Sequence, residues 1–297
     1  MPSLKEIRGR IKSVRGTQQI TKAMKMVSAA KLRKAQDAII QLRPYASKLK
    51  EILQNLSQGA ESGVSSPFLQ GKENPQTVLL IVVTSNKGLC SSFNSNVIKS
   101  TLTAIQEKYS SHQKNKTLFL WCIGKKGHEY FQKRGYQVVN TEFDLFTKLS
   151  FDAIAMIARE IMSNYVAGKW DKVDLFYNEF KNIATQIRKH EQYLPTSSVT
   201  SVSTNQPTKQ SVEYIYEPNK AQILAELIPR SLTIQLFKAI LESNAAEHGA
   251  RMTAMDKATE NAQELLGSLR LTYNRARQAA ITKEILEIVG GAEALKG

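Results

Sequence analysis

RSLTIQLFKAILESNAAEHGARMTAMDKATENAQELLGSLRLTYNRARQAAITKEILEIV, residues 230–289, is a sixty-residue run without proline that keeps one helical rhythm throughout. Side chains at alternating spacings of three and four form its stripe: Ser231, Ile234, Lys238, Leu241, Ala245, His248, Met252, Met255, Thr259, Ala262, Leu266, Leu269, Tyr273, Ala276 and Ala280. The frame reaches back to Leu224 and Leu227, and thirteen of its seventeen members are apolar. A repeat averaging 3.5 residues is what a coiled-coil seam requires. Asn219 is placed to cap this helix, with Gln222 at the third helical position. Pro229 is placed to break the first turns, and Gly290-Gly291 is expected to end the helix.

Sixty helical residues extend about 90 Å, whereas a compact chain of this length has a diameter near ~50 Å. Such a helix is expected to project from a globule, and its seam must be covered. The first fifty-six residues supply a matching partner. Ser3 and Glu6 spell a capping box. A second alternation then runs through Leu4, Ile7, Ile11, Val14, Gln18, Thr21, Lys25, Ser28, Leu32, Ala35, Ile39, Leu42, Ala46, Leu49, Leu53 and Leu56. Its four polar members, Gln18 to Ser28, are consecutive, while Ile20, Met24 and Val27 fall on a neighbouring face. The seam there is either offset or turned toward another partner. Pro44 is expected to kink the helix or begin a new one. The two chain ends are expected to pair as antiparallel helices.

Between them lies a different pattern. Residues 57–76 are a Gly/Ser/Pro-rich linker. TVLLIVVT at 77–84, TLFLWCIG at 117–124 and KVDLFYNEF at 172–180 read as buried strands of a parallel sheet. Helical patterns near 92–108, 125–134 and 150–167 separate them, giving βαβ units. Residues 195–212 are polar and read as an exposed loop. The expected class is α/β, with three parts: an N-terminal coiled-coil helix over 1–57, a Rossmann-like α/β domain over 75–212, and a C-terminal coiled-coil helix over 213–297.

Among 297 residues, 42% are hydrophobic and 23% charged, as in chains with a true core. No run of eighteen apolar residues exists to cross a bilayer, and the basic, amphipathic start reads as mature structure. Two cysteines, Cys90 and Cys122, read as free thiols of a reducing compartment. Four scattered histidines share no ligand spacing, so no metal site is expected. The net charge of +15 is uneven: residues 1–56 hold 13 Lys/Arg against 3 Asp/Glu, while residues 220–297 hold 10 against 9. An acidic partner for the N-terminal helix follows, whether protein, lipid or nucleic acid.

Chemistry is sparse. Ser85-Asn86-Lys87-Gly88-Leu89-Cys90-Ser91-Ser92-Phe93-Asn94 follows the first strand as a phosphate loop does, yet has neither GxxxxGK[ST] nor GxGxxG spacing. A polar turn capping the next helix is the favoured reading, with Cys90 a small buried thiol. The C-terminal tip carries Ile281, Ile285, Leu286, Ile288 and Val289, apolar on nearly every side, which suits burial in a sleeve of another protein.

TYNRARQAAITKEILEIVGGAEAL at the C-terminus closely resembles the signature of the gamma subunits of F-type ATP synthases. IKSVRGTQQITKAMKMVSAAKLRKAQ is similar to that family's first helix, SNKGLCSSFN to its post-strand motif, and EYIYEP to the segment before its last helix. The family usually shows Asp-Arg-Gly-Leu-Cys-Gly-Gly after the strand; Asn86-Lys87 and Ser91-Ser92 depart from it.

The resemblance implies a non-catalytic rotor without cofactor or metal, threading the ring of alpha and beta subunits. It implies epsilon and delta subunits and the membrane c-ring as further partners, no nucleic acid, and attachment to a membrane only through the complex, at the cytoplasmic face of a bacterial plasma membrane. Met24 and Lys25 are expected to face acidic lever segments of beta. Arg277, Gln278, Thr282 and Glu284 are expected to make polar contacts near the upper bearing, with Ile281, Ile285, Ile288 and Val289 turning in the sleeve. Tyr214, Tyr216 and Glu217 are expected to contact the membrane ring. The competing reading, a basic coiled-coil nucleic-acid-binding protein, rests on charge alone and leaves the apolar tip and the near-neutral C-terminal helix unexplained.

Overall fold

The computed structural model describes residues 3–58, 66–69, 71–146, 149–183, 185–196 and 219–294. In chain order the elements are α1 (Leu4–Gln58), β1 (Val78–Val83), α2 (Phe93–Lys108), α3 (Ser110–Lys114), β2 (Leu118–Ile123) and α4 (Lys125–Gln132). There follow β3 (Gln137–Glu142), a 3-10 turn at Asp144–Phe146, α5 (Phe151–Val166), β4 (Lys172–Phe180), β5 (Gln186–Leu194) and α6 (Lys220–Ala294). The chain forms two compact units, Met1–Ala29 with Arg251–Gly297, and Ala30–Ala250.

The ends of the long helices test the capping signals. The Glu6 amide donates to Ser3 Oγ at 3.2 Å, whereas the Glu6 carboxylate turns away to Arg10, so half of the expected box forms. The Gln222 amide donates to Asn219 Oδ1 at 2.9 Å. None of three marked positions begins or ends a helix. α1 runs through Pro44 and α6 through Pro229 without a new helix beginning. α6 also continues past Gly290-Gly291 to Ala294. Glycine lowers helix propensity by only about 1 kcal/mol relative to alanine, which does not by itself stop a helix.

In the larger unit, five strands form one sheet in the order β3-β2-β1-β4-β5. β3, β2, β1 and β4 are parallel, as the βαβ pattern requires, and β5 pairs antiparallel with β4. Because strand side chains alternate, β1 serves two cores. Leu79, Ile81 and Val83 join Trp121, Ile123 and Leu175 in packing against Ile154, Ile157 and Ile161 of α5 and Leu232, Leu236 and Ile240 of α6. Val78, Leu80 and Val82 join Leu120, Cys122 and Phe176 against Val97 and Ile105 of α2 and Phe131 of α4.

The two edge strands add to the three read from sequence. β5, QIRKHEQYL, has no apolar alternation, and polar pairs hold it. His190 lies 2.6 Å from the buried Asp174 carboxylate, Tyr177 donates to Glu191 at 2.9 Å, and Lys189 meets Glu179 at 3.2 Å. Asp174 also accepts from Tyr109 at 2.5 Å; burial first, and then the Asp174 charge, push that phenol up and keep it a donor. Gly124 ends β2 at φ +109°, where a Cβ would lie 2.1 Å from the Thr84 carbonyl oxygen, so only glycine fits there.

Asp171 ties the start of β1 to the start of β4. Its carboxylate accepts from the Gln76 amide at 2.7 Å, the Thr77 amide at 3.0 Å and Lys72 at 2.5 Å. Burial alone would raise its pKa, but the Lys72 hydrogen bond and the two amides outweigh this and hold it below the ordinary value. A depressed folded pKa contributes stability that is complete above the unfolded value of about 3.9 and is lost as pH falls through the folded value. Asp171→Asn should therefore lower stability at pH 7 and reduce the loss of stability on acidification below about pH 4, as read by urea unfolding at successive pH values.

Candidate functional site: the two-helix seam and its exposed tip

The smaller unit is built by the mutual burial of two stripes. Ile7 and Thr21 of α1 are buried, with Ile11, Val14, Gln18 and Lys25 half-buried on the same stripe. Opposite, Met255, Ala262 and Leu266 of α6 are buried, with Leu269, Tyr273, Ala276 and Ala280 half-buried. Four contacts fix direction and register. Arg8 donates to Tyr273 Oη at 2.9 Å, Gln18 Nε2 to Gln263 Oε1 at 2.7 Å, Thr21 and Thr259 hydroxyls lie 2.8 Å apart, and Lys25 pairs with Asp256. The 17 residues from Arg8 up to Lys25 on α1 match the 17 from Tyr273 down to Asp256 on α6, so the helices are antiparallel, as expected.

These contacts settle the ambiguity at Gln18–Ser28. The seam is not offset there, because Gln18, Thr21 and Lys25 remain inside it and meet polar partners, and Ser28 is buried with them. Ile20, Met26 and Val27 point outward and are 62%, 64% and 57% exposed. Met24 is half-buried. The Lys25 charge is committed to Asp256, a pairing no spacing rule indicates, since Asp256 lies one position off the α6 frame. Beside this polar layer opens a groove of about 600 Å³, lined by Arg15, Gln19, Lys22, Met26 and Ala29 of α1 together with the paired residues.

Tyr273 is held below its ordinary pKa chiefly by the hydrogen bond from Arg8, with Arg277 adding its charge. Beyond Ala280, every described residue with an assigned burial is exposed. Arg277, Gln278, Thr282 and Glu284 stand on this stretch, with Ile281, Ile285, Ile288 and Val289 on the same turns. At 3.6 residues per turn, these apolar residues and Leu286 cover one broad side. Lys283 and Glu287, 3.5 Å apart, occupy the other. The tip is thus amphipathic with a wide apolar face, which corrects the expectation of apolar character on nearly every side, because residues about 100° apart along a helix place Lys283 and Glu287 together opposite the apolar groups.

The post-strand loop belongs to the larger unit and lacks the expected helix cap, since Ser92 makes no side-chain bond to the free amides of α2. Asn94 reaches back instead, accepting from the Ser85 amide at 2.9 Å and donating to Ser85 Oγ at 2.8 Å and Cys90 Sγ at 3.3 Å. Cys90 is buried against Phe93, Ala246 and Ala250, and neither cysteine forms a disulfide among the described residues. Burial pushes the Cys122 thiol up to about 12, so it stays protonated. Leu89 and Ser91 take φ +61° and +52°, the left-handed region that glycine adopts at least cost. Among the described residues no group of His, Cys, Asp or Glu is arranged to hold a metal. Tyr214, Tyr216 and Glu217 lie outside the described residues.

A family model described as ATP synthase matches residues 3–295. The chain is 56% identical over 297 residues to the ATP synthase gamma chain of Cytophaga hutchinsonii, covering 99% of both chains. It is 51% identical to that of Flavobacterium psychrophilum, covering 100% of both, and 50% identical to that of Chlorobaculum tepidum, again covering 100% of both. Its fold is similar to a chain of the Euglena gracilis mitochondrial ATP synthase OSCP/F1/c-ring structure, with a TM-score of 0.67 at 18% identity, covering 98% of this chain and 94% of that one. It is also similar to a chain of the Tetrahymena thermophila mitochondrial ATP synthase central stalk and c-ring, with a TM-score of 0.58 at 24% identity, covering 80% and 99%.

A double-mutant cycle tests the polar layer. Thr21→Val or Thr259→Val alone should each lower stability by about 1 kcal/mol, because the remaining hydroxyl loses its cross-helix partner. The double variant should recover part of that loss, since replacing both partners by apolar groups of equal shape is close to neutral. Thermal unfolding of the four proteins gives the coupling, and strict additivity would show that the hydroxyl pair contributes nothing.

Proposed function

The chain belongs to the ATP synthase gamma-chain family, and from that membership we infer that it is the central rotor shaft of an F-type ATP synthase. The observation that carries the inference is identity of about half over the whole chain with bacterial gamma chains. In this role it couples ion-driven rotation of the membrane ring to ATP synthesis at the alpha/beta head. The shaft supplies no catalytic group; nucleotide chemistry belongs to the beta subunits. The relatives lend nothing to the nucleic-acid reading, and the N-terminal excess of cations is then complementary to acidic protein.

A rotor acts by touching each beta subunit differently at each angle. Moving a two-state subunit from 1:99 to 99:1 takes about 5.5 kcal/mol of differential contact. An exposed ion pair contributes at most about 1 kcal/mol. No single residue therefore suffices, and the work is spread along the shaft. Met24 and the Lys25–Asp256 pair lie on the stretch that we assign to the acidic lever segments of beta. Arg277, Gln278, Thr282 and Glu284 are assigned to the upper bearing. The exposed face of Ile281, Ile285, Ile288 and Val289 is assigned to the sleeve, where full burial of one such side chain contributes about 1.5–3 kcal/mol.

At the foot, Tyr214, Tyr216 and Glu217 are assigned to the c-ring on the strength of the EYIYEP resemblance. The α/β unit is the platform shared with epsilon, and delta completes the partners. No described helix is long and apolar enough to cross a membrane. On the rotor reading, attachment at the cytoplasmic face of a bacterial plasma membrane runs through the complex.

Affinity purification from native membranes tests this reading, and recovery of the chain without ATP synthase alpha and beta chains would sink it. Met24→Lys should lower the number of protons pumped per ATP hydrolysed while leaving assembly intact. A normal pumping ratio in inverted vesicles would remove Met24 from the beta contact.

A further inference from the structure

The turn between β4 and β5 is fastened to α6 within about two helical turns. The Phe180 amide donates to Glu242 at 3.1 Å, and Gln186 Nε2 donates to the Ala246 carbonyl at 3.1 Å. The Phe180 ring lies against Gly249, 3.3 Å from where a Cβ there would stand. Residues 242, 246 and 249 follow one another at spacings of four and three, so they share one face of the helix. The Gln186 amide and the Phe180 ring keep the same character at every pH. Glu242 does not, and it is only 3% exposed.

The surroundings of Glu242 favour a proton. Burial raises its pKa most, and the charge of Glu179 on β4 adds to this. The Phe180 amide, Lys238 one turn earlier on α6, and Arg43 on α1 act the other way and are outweighed. Lys189 of β5 is taken by Glu179 at 3.2 Å. Among the described residues, no cation forms an ion pair with Glu242. A third carboxylate, Glu191 of β5, faces the same junction and accepts from Tyr177 at 2.9 Å and from Gln235 of α6 at 3.3 Å. Burial, and then the Glu191 charge with those of Glu179 and Glu242 behind it, push the Tyr177 phenol up, so it stays a donor. Like charges therefore crowd this junction, and Glu242 is the most deeply buried of the three carboxylates.

We propose that Glu242 is a proton-operated clamp, fixing the β4–β5 turn to the shaft helix when its carboxyl is neutral and easing that junction when it is ionised. The clamp lies inside the α/β unit and requires no partner subunit. Ionisation leaves a charge out of water without a paired cation, which outweighs the gain in the Phe180 hydrogen bond. Lifting the turn lets water reach the carboxylate, so the open state gains population as the proton leaves. A raised carboxylate pKa contributes stability that is complete below the ordinary value of about 4.3 and is lost as pH rises from there through the folded value. The sign is opposite to that of Asp171, whose contribution is lost on acidification. Acidification thus stiffens the attachment of the shaft helix to its platform.

Hydrogen exchange of the intact purified complex, corrected for the intrinsic pH dependence of exchange, reads the clamp at the peptide that contains the Phe180 amide. In the unaltered chain its protection should fall severalfold as pH rises from about 5 to about 8, while peptides of β1 and β2 keep theirs. Glu242→Gln, neutral at every pH, should hold the acid-side protection throughout. Glu179→Gln removes a neighbouring negative charge and should move the fall to lower pH. Protection of that peptide that does not change with pH in the unaltered chain would overturn the clamp, whether or not the variants assemble. A fall of the same size in Glu242→Gln would overturn it as well.

Discussion

One helix meets three different surroundings, and the remaining architecture follows from satisfying each. From Leu232 to Ala250, α6 has no exposed residue, because the sheet and its covering elements enclose it. From Met252 to Ala280 the protected positions fall chiefly along the 3-4 stripe. From Ile281 to Glu293 every position is exposed. The composition changes with the surroundings. Ala239, Ala245, Ala246, Gly249 and Ala250 supply small side chains in the enclosed stretch, where a Cβ on Gly249 would lie 3.3 Å from the Phe180 ring. The seam stretch needs apolar groups only along its stripe, and the tip presents a wide apolar face that is exposed among the described residues.

Enclosing a helix also creates polar obligations. Glu242 is buried and accepts the Phe180 amide at 3.1 Å, and burial raises its pKa against that hydrogen bond and the Lys238 charge. The Leu232 carbonyl accepts from Tyr193 at 3.1 Å, and that of Ala246 from Gln186 at 3.1 Å. These bonds come from β4 and β5, so the antiparallel edge does more than extend the sheet. It satisfies groups that close packing removes from water.

The polar layer at Gln18, Thr21 and Lys25 lies where an apolar seam would be more stable. Polar positions in a seam exchange stability for register, since a slip by one turn would strand each group without its partner. A shaft that must present the same face to a partner at a given angle depends on that register. Lys25 and Asp256 are each a little under half exposed, at 39% and 44%, so the pair also keeps charge at the rim of the groove.

Much of this architecture is legible in the sequence. Periodicity alone determined two long amphipathic helices, their mutual pairing and the residues along their stripes, because a helix repeats its environment every 3.6 residues. Apolar runs likewise determined β1, β2 and β4, whose both faces are buried, and chain-wide motifs pointed to the family. Tertiary structure decided what periodicity does not encode. β3 and β5 exist because edge strands are held by neighbours and cross-strand polar pairs such as His190 with Asp174, not by an apolar pattern of their own. The partnering of Lys25 with Asp256 depends on how two helices distant in sequence align. A local sequence specifies which face a helix buries; which charge it meets there is set only when the second helix arrives.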